Sequence, residues 1–147
     1  MAERASPARF CFGCGQENPR GLGMRFRMED GRAVADFTAP EYLQGFPGRM
    51  HGGGVVTMLD EAMGWAAYGQ GIWATTARLT ARFRRPVPLG EPLTVSAWIT
   101  RDRGRFLELR AVLRTSAGVP LAEAEGVFAR LDGQQGEDVR RLYEAGR

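Results

Sequence analysis

The stretch GRMHGGGVVTMLDEAMGWAAYG, residues 48–69, gathers the groups best suited to chemistry. It holds the single histidine, His51, three consecutive glycines, Gly52, Gly53 and Gly54, and the adjacent carboxylates Asp60 and Glu61. Val55, Leu59, Ala62, Met63 and Ala66 recur at helical spacing, so the glycines open a helix that runs from His51 to about Tyr68. The first N–H groups of a helix lack intrahelical partners and carry the positive end of its dipole. Glycines leave them open to an oxygen that becomes negative during a reaction. Asp60 shares a face with Val56 and Met63, an apolar setting that disfavours its charged form and suits it to act as a general base. Glu61 neighbours Thr57 and Trp65 and reads as a partly solvated or salt-bridged bystander.

Gly52 and Asp60 are eight positions apart, roughly 12 Å along a helix that rises 1.5 Å per residue. One helix cannot bring both to a single reacting carbon. If two copies lie antiparallel across a two-fold axis, the glycine end of each meets the aspartate of the other, so the spacing predicts a homodimer with two equivalent sites. His51 has no G-x-S-x-G elbow to serve, which argues against a serine triad and leaves it as a helix cap or a residue packed on the loop.

CFGCG, residues 11–15, is the second group of reactive side chains. A C-x-x-C pair is half of a typical zinc set, and no second cysteine pair exists in the chain. No βαβ context supports a redox motif either, so the pair is expected to be structural, with no metal and no cofactor.

These groups must be positioned by other elements, and the sequence indicates which. GLGMRFRME places Leu22, Met24, Phe26 and Met28 on one face of a strand, and Asp30-Gly31 turns it into a second strand, AVADFT. After the helix come TTARLTARFRRPV, PLTVSAWITRDR, RFLELRAVLRTSAG and PLAEAEGVFARLD, separated by turns that carry glycine at positions 90, 104 and 118. EDVRRLYEAG closes the chain as a short helix. The order β-β-α-β-β-β-β predicts an α+β fold with an antiparallel sheet against one long central helix.

At 147 residues the chain fits one domain, and its longest apolar runs fall short of the ~20 residues that span a bilayer. The start MAERASPARF contains no apolar signal segment, so a cytoplasmic protein is expected. All 20 basic side chains are arginine, against 17 acids. Acids interrupt nearly every basic cluster, which argues against nucleic acid as a partner.

The run HGGGVVTMLDEAMG resembles the central helix of the hotdog-fold acyl-CoA thioesterases of the phenylacetate-pathway type. In that family His-Gly-Gly opens the helix and an acid follows nine residues after the histidine. The strand order and PVPLGEPLTVSAWI fit as well, and the resemblance covers residues 21–131. It implies a hotdog domain over 21–132, preceded by a strap over 1–20 that carries the CxxC pair and followed by a tail over 133–147. It also implies hydrolysis of acyl-CoA thioesters by a homodimer, in some members assembled into a homotetramer. Gly52 matches the residue whose backbone N–H polarises the thioester carbonyl, and Asp60 the acid that attacks or activates water. The family's loop Asn or Gln falls at Gly45, with Gln44 beside it. The Ser or Thr that helps hold the water corresponds to Thr76, with Thr75 as the alternative. His51, Gly53 and Glu61 border the site as substrate-binding residues, and Arg84 and Arg85 lie where the nucleotide moiety runs. Trp65, Tyr68, Phe46 and Met63 are expected either in the acyl pocket or in the core. The competing readings are a noncatalytic acyl-CoA sensor and a 3-hydroxyacyl thioester hydratase or dehydratase that uses His51 with an acid.

Overall fold

The hairpin that begins the sheet is set by its turn. Asp30 and Gly31 both adopt positive φ, 49° and 77°, as the tight two-residue turn between twisted strands requires. It joins β1 (Arg27–Glu29) to β2 (Arg32–Thr38) in a computed structural model that describes residues 8–145. A 3-10 turn at Glu41–Leu43 leads to the central helix α1 (Gly52–Gly69). The chain continues through β3 (Ala74–Phe83), β4 (Pro92–Asp102), β5 (Phe106–Thr115) and β6 (Pro120–Arg130), and ends in α2 (Gly133–Ala145). The strands form one antiparallel sheet in the order β1-β2-β4-β5-β6-β3, and α1 packs on every strand from β2 to β6. This is the α+β hotdog arrangement, a curved sheet wrapped around one helix.

The core lies between α1 and the concave face of the sheet. Val55, Met58, Leu59, Ala62, Met63, Trp65, Ala66 and Ala67 are the buried side of α1, and they face Val95, Leu109, Leu113 and Phe128 among others. Each large apolar side chain removed from water here contributes about 1.5–3 kcal/mol. Close approach of helix and sheet depends on Gly126 of β6: a Cβ there would stand 2.8 Å from Met63 Sδ. Met63 and Trp65 are therefore core residues.

Two elements depart from the sequence reading. The alternation of Leu22, Met24 and Phe26 does mark a buried face, but only Arg27–Glu29 pairs with β2. Gly23 takes a φ of 60° that breaks the extended run, and the backbone there pairs instead with the upstream segment: Leu22 N–H donates to Phe12 O (2.8 Å) and Met24 N–H to Gly13 O (2.9 Å). The C-terminal helix starts at Gly133, earlier than its charged residues suggest, and lays Tyr143 against Tyr68 and Trp73. Residues 1–7 of the expected strap and residues 146–147 of the expected tail lie outside the described residues.

β3 is an edge strand, ten residues long and mostly exposed, with β6 as its sole neighbour among the described strands. A long unpaired edge of this kind is a template for pairing with another strand.

Candidate functional site

The start of α1 is built by His51. Its backbone is extended (φ −60°, ψ 138°), its carbonyl accepts from Gly54 and Val55, and its Nδ1 accepts from Gly53 N–H at 2.9 Å. His51 is thus the N-cap, and the acceptor role at Nδ1 places the ring proton on Nε2. The Gly53 N–H is occupied by this bond. The Gly52 N–H meets no acceptor among the described residues and is one of the donors a helix start leaves unmet.

The preceding loop holds this end in place. Met50 N–H donates to Val87 O (2.8 Å), His51 N–H to Leu43 O (2.7 Å) and Gly45 N–H to Arg49 O (2.9 Å), while Gln44 Oε1 accepts from Gly48 N–H (3.0 Å). A Cβ on Gly45 would stand 3.0 Å from His51 Cα, which accounts for glycine where the family resemblance expects an amide side chain. Gln44, Phe46, Arg49, Gly52, Phe83, Arg84 and Arg85 border a cleft of about 760 Å³ at this end of the molecule. Arg84 is committed to Glu123 (2.6 Å), whereas Arg49 and Arg85 form no ion pair among the described residues. Arg49 was not singled out from the sequence. Its position two residues ahead of the helix cap, where a cation adds to the positive helix end, was the available signal.

Asp60 lies two turns further along α1 and opens into a different cleft, of about 390 Å³, bordered by Phe12, Val56, Thr57, Thr76 and Leu79. Phe12, Val56 and Leu79 are its apolar walls, and Thr57, Glu61 and Thr76 its polar ones. Thr76, from β3, donates its hydroxyl to Asp60 Oδ1 at 2.6 Å, next to a bulge where the β3–β6 register shifts between Thr76 and Arg78. Thr76 rather than Thr75 is therefore the hydroxyl on Asp60. Gly52 and Asp60 do not share a cavity, in keeping with their separation along the helix.

Glu61 is half-buried and forms no salt bridge among the described residues. The segment around residues 11–13 packs against it, and a Cβ on Gly13 would stand 2.5 Å from Glu61 Cδ. Burial, with the nearby Cys11 sulfur adding to it, pushes the Glu61 carboxyl up to about 7. Cys11 Sγ lies 3.5 Å from Glu61 Oε1. The Cys11 thiol is held below its ordinary value, first by a hydrogen bond from Cys14 and also by the backbone N–H groups of Cys14 and Gly13.

Of the expected pocket walls, Phe46 stands exposed in the larger cleft, Trp65 and Met63 belong to the core, and Tyr68 packs edge-on against Trp65 and Trp73.

Comparison with known proteins fits this geometry. Residues 47–122 match the family profile described as Thioesterase superfamily. Acyl-coenzyme A thioesterase THEM4 from Bos taurus is 36% identical over 117 residues, 76% of this chain and 48% of that protein. The chain spans about half the length of the curated relatives it matches. A crystal structure of a thioesterase superfamily protein superposes with a TM-score of 0.75 at 33% identity, covering 78% of this chain and 60% of the other. The PaaI protein from the phenylacetic acid degradation operon of E. coli has the same fold, with a TM-score of 0.70, 24% identity and coverage of 74% and 84%. With the matched profile spanning more than half of its length, the chain belongs to the thioesterase superfamily.

Proposed function

We propose that this chain hydrolyses acyl-CoA thioesters at two equivalent sites, each formed between two copies of the chain. The observation that carries the reading is the division of the chemistry. The free Gly52 N–H lies in one cleft and the Asp60–Thr76 pair in another, roughly 12 Å away along the same helix. An antiparallel pairing of two α1 helices, with the unpaired β3 edges as the natural seam, brings the two halves together.

In such a site the thioester carbonyl oxygen points at the Gly52 N–H. The negative charge that grows on that oxygen is stabilised by a donor already oriented and backed by the helix dipole. Asp60 from the other copy takes a proton from the water that attacks the carbonyl carbon, or attacks that carbon itself to form an anhydride that water then hydrolyses, and CoA leaves as the thiolate. The Thr76 hydroxyl fixes one carboxylate oxygen and leaves the other for the reaction. Arg49 and Arg85 suit the phosphates of the CoA moiety along the larger cleft. His51 is engaged as a helix cap through Nδ1, which weakens the hydratase alternative that would use it as a base. Glu61, Gly53 and Gln44 support the walls of the site.

We place the protein in the cytoplasm as a homodimer, with a homotetramer as a further assembly. Among the described residues no helix is long and apolar enough to cross a membrane, and neither cysteine is in a disulfide.

The test is thiol release from a panel of acyl-CoAs by the purified protein and by Asp60→Asn. Hydrolysis by the wild type that falls at least about a hundredfold in the variant is expected. Undiminished hydrolysis in Asp60→Asn removes Asp60 from the mechanism, and a wild type that binds acyl-CoA without hydrolysing any member of the panel supports the sensor reading.

A further inference from the structure

We propose that Cys11, Cys14 and Glu61 form a binding site for a thiophilic divalent cation of the zinc class, which fastens the lead-in segment to α1. The ligand atoms come from two elements fifty residues apart in sequence, and all three lie within 4.8 Å of one another. A tetrahedral ion would draw such atoms to edges of about 3.5–3.8 Å. With Zn–S near 2.3 Å and Zn–O near 2.0 Å at tetrahedral angles, the sulfur-to-oxygen edge is about 3.5 Å. The separation of Cys11 Sγ and Glu61 Oε1 is 3.5 Å.

The surrounding backbone is shaped for the same purpose. Gly15 N–H donates to Cys11 O at 2.9 Å and closes a tight loop that brings both sulfurs near the Glu61 carboxylate. Gly13 lies flush on the Glu61 carboxylate, with no room for a Cβ. A single-sequence count of cysteines finds half a ligand set. The fold supplies the third ligand from α1.

Two thiolates with one carboxylate favour zinc-like ions over magnesium or calcium, which take oxygen ligands. A fourth position is available to water, because Cys11 and Glu61 border both the Asp60 cleft and a smaller cavity of about 230 Å³ on its other side. The ion has a structural role. It pins Phe12, which lines the Asp60 cleft, and it anchors the backbone that pairs with Leu22 and Met24.

The experiment uses the full chain, reduced and stripped with a chelator, titrated with Co²⁺ and then Zn²⁺. One equivalent of Co²⁺ per chain should bind with tetrahedral d–d absorption and a near-ultraviolet thiolate charge-transfer band, and Zn²⁺ should displace it with a Kd below about 1 μM. Cys11→Ser and Glu61→Gln should each weaken Co²⁺ binding by at least about tenfold, and Cys14→Ser should diminish the charge-transfer band. Because the wild-type titration decides the matter alone, a variant that fails to fold does not obscure it. A reduced wild type that binds neither ion, or binds Co²⁺ without the thiolate band, overturns the proposal. So does undiminished binding in Cys11→Ser. A chain that forms an internal disulfide in air yet takes no metal when reduced also overturns it, in favour of a dithiol pair.

Discussion

Replacing Gly52 with proline removes one N–H and little else. Gly52 is the first residue of α1, where proline is tolerated, and its N–H has no acceptor among the described residues to lose. His51, at φ −60° and ψ 138°, already has the extended backbone that a residue before proline needs. A Cβ at position 52 meets only the Phe83 ring at 3.7 Å, an ordinary contact. Gly52→Pro should therefore melt close to the wild type while losing about 10²–10³ in kcat, or about 2.7–4 kcal/mol, the usual worth of one oxyanion donor. Asp60→Asn keeps an oxygen that can accept from Thr76 and removes the base. Each variant alone should be nearly inactive. When the two are co-expressed with different tags, random pairing makes half of the dimers mixed. Each mixed dimer has one doubly damaged site and one site with an intact Gly52 from one copy and an intact Asp60 from the other, so activity should recover to about one quarter of the wild type. Thiol release from the isolated double-tagged species gives the measurement, and about half of wild-type activity is expected there. A mixed species no more active than its parents refutes the shared site. A fully active Gly52→Pro refutes the oxyanion assignment, and a shifted melting curve identifies a folding defect.

Thr76→Val removes the hydroxyl that orients Asp60 and should lower kcat about tenfold with little change in KM, read from steady-state thiol release. Arg85→Gln should raise KM several-fold for CoA thioesters and leave KM unchanged for thioesters of pantetheine, which lacks the nucleotide phosphates. Arg84→Gln should do less, since Arg84 is already paired with Glu123. Gly13→Ala forces a Cβ against the Glu61 carboxylate and should destabilise the fold by about 1–3 kcal/mol, seen as a lower urea midpoint at unchanged slope.

The elements that were legible in the sequence are those whose determinants are local. The α1 periodicity, the Asp30-Gly31 turn and the alternating strands each depend on a few consecutive residues, and their bounds agree with the structure to within a few positions. Leu22–Phe26 shows the limit of that reading. Alternation correctly marked the buried face, but which backbone pairs with it depends on residues 12 and 13 and on the positive φ of Gly23. The same limit explains why the sequence did not show what packs over Glu61. Neighbours at three and four positions describe the helix's own surface, and the segment that buries Glu61 comes from fifty residues upstream. Arg49 was missed for a related reason, because its place beside the larger cleft is set by the loop's pairing with Pro88 and Val87.

Successive residues on a helix point about 100° apart, and in α1 that one step separates two kinds of work. Asp60 points across the open side of the helix, where Thr76 holds it and its cleft does not include Gly52. In the proposed site another copy brings a Gly52 to it. Glu61 points under the Cys11–Gly13 segment, where the chain itself encloses it. If both proposals hold, the same helix turn joins them: an ion at Glu61 would fix Phe12, and Phe12 forms a wall of the Asp60 cleft. Loss of the ion should then alter which acyl groups fit while leaving the Asp60–Thr76 hydrogen bond in place. A change in acyl preference without a matching loss of turnover on the best substrate is therefore what should separate damage at the cysteines from damage at Asp60.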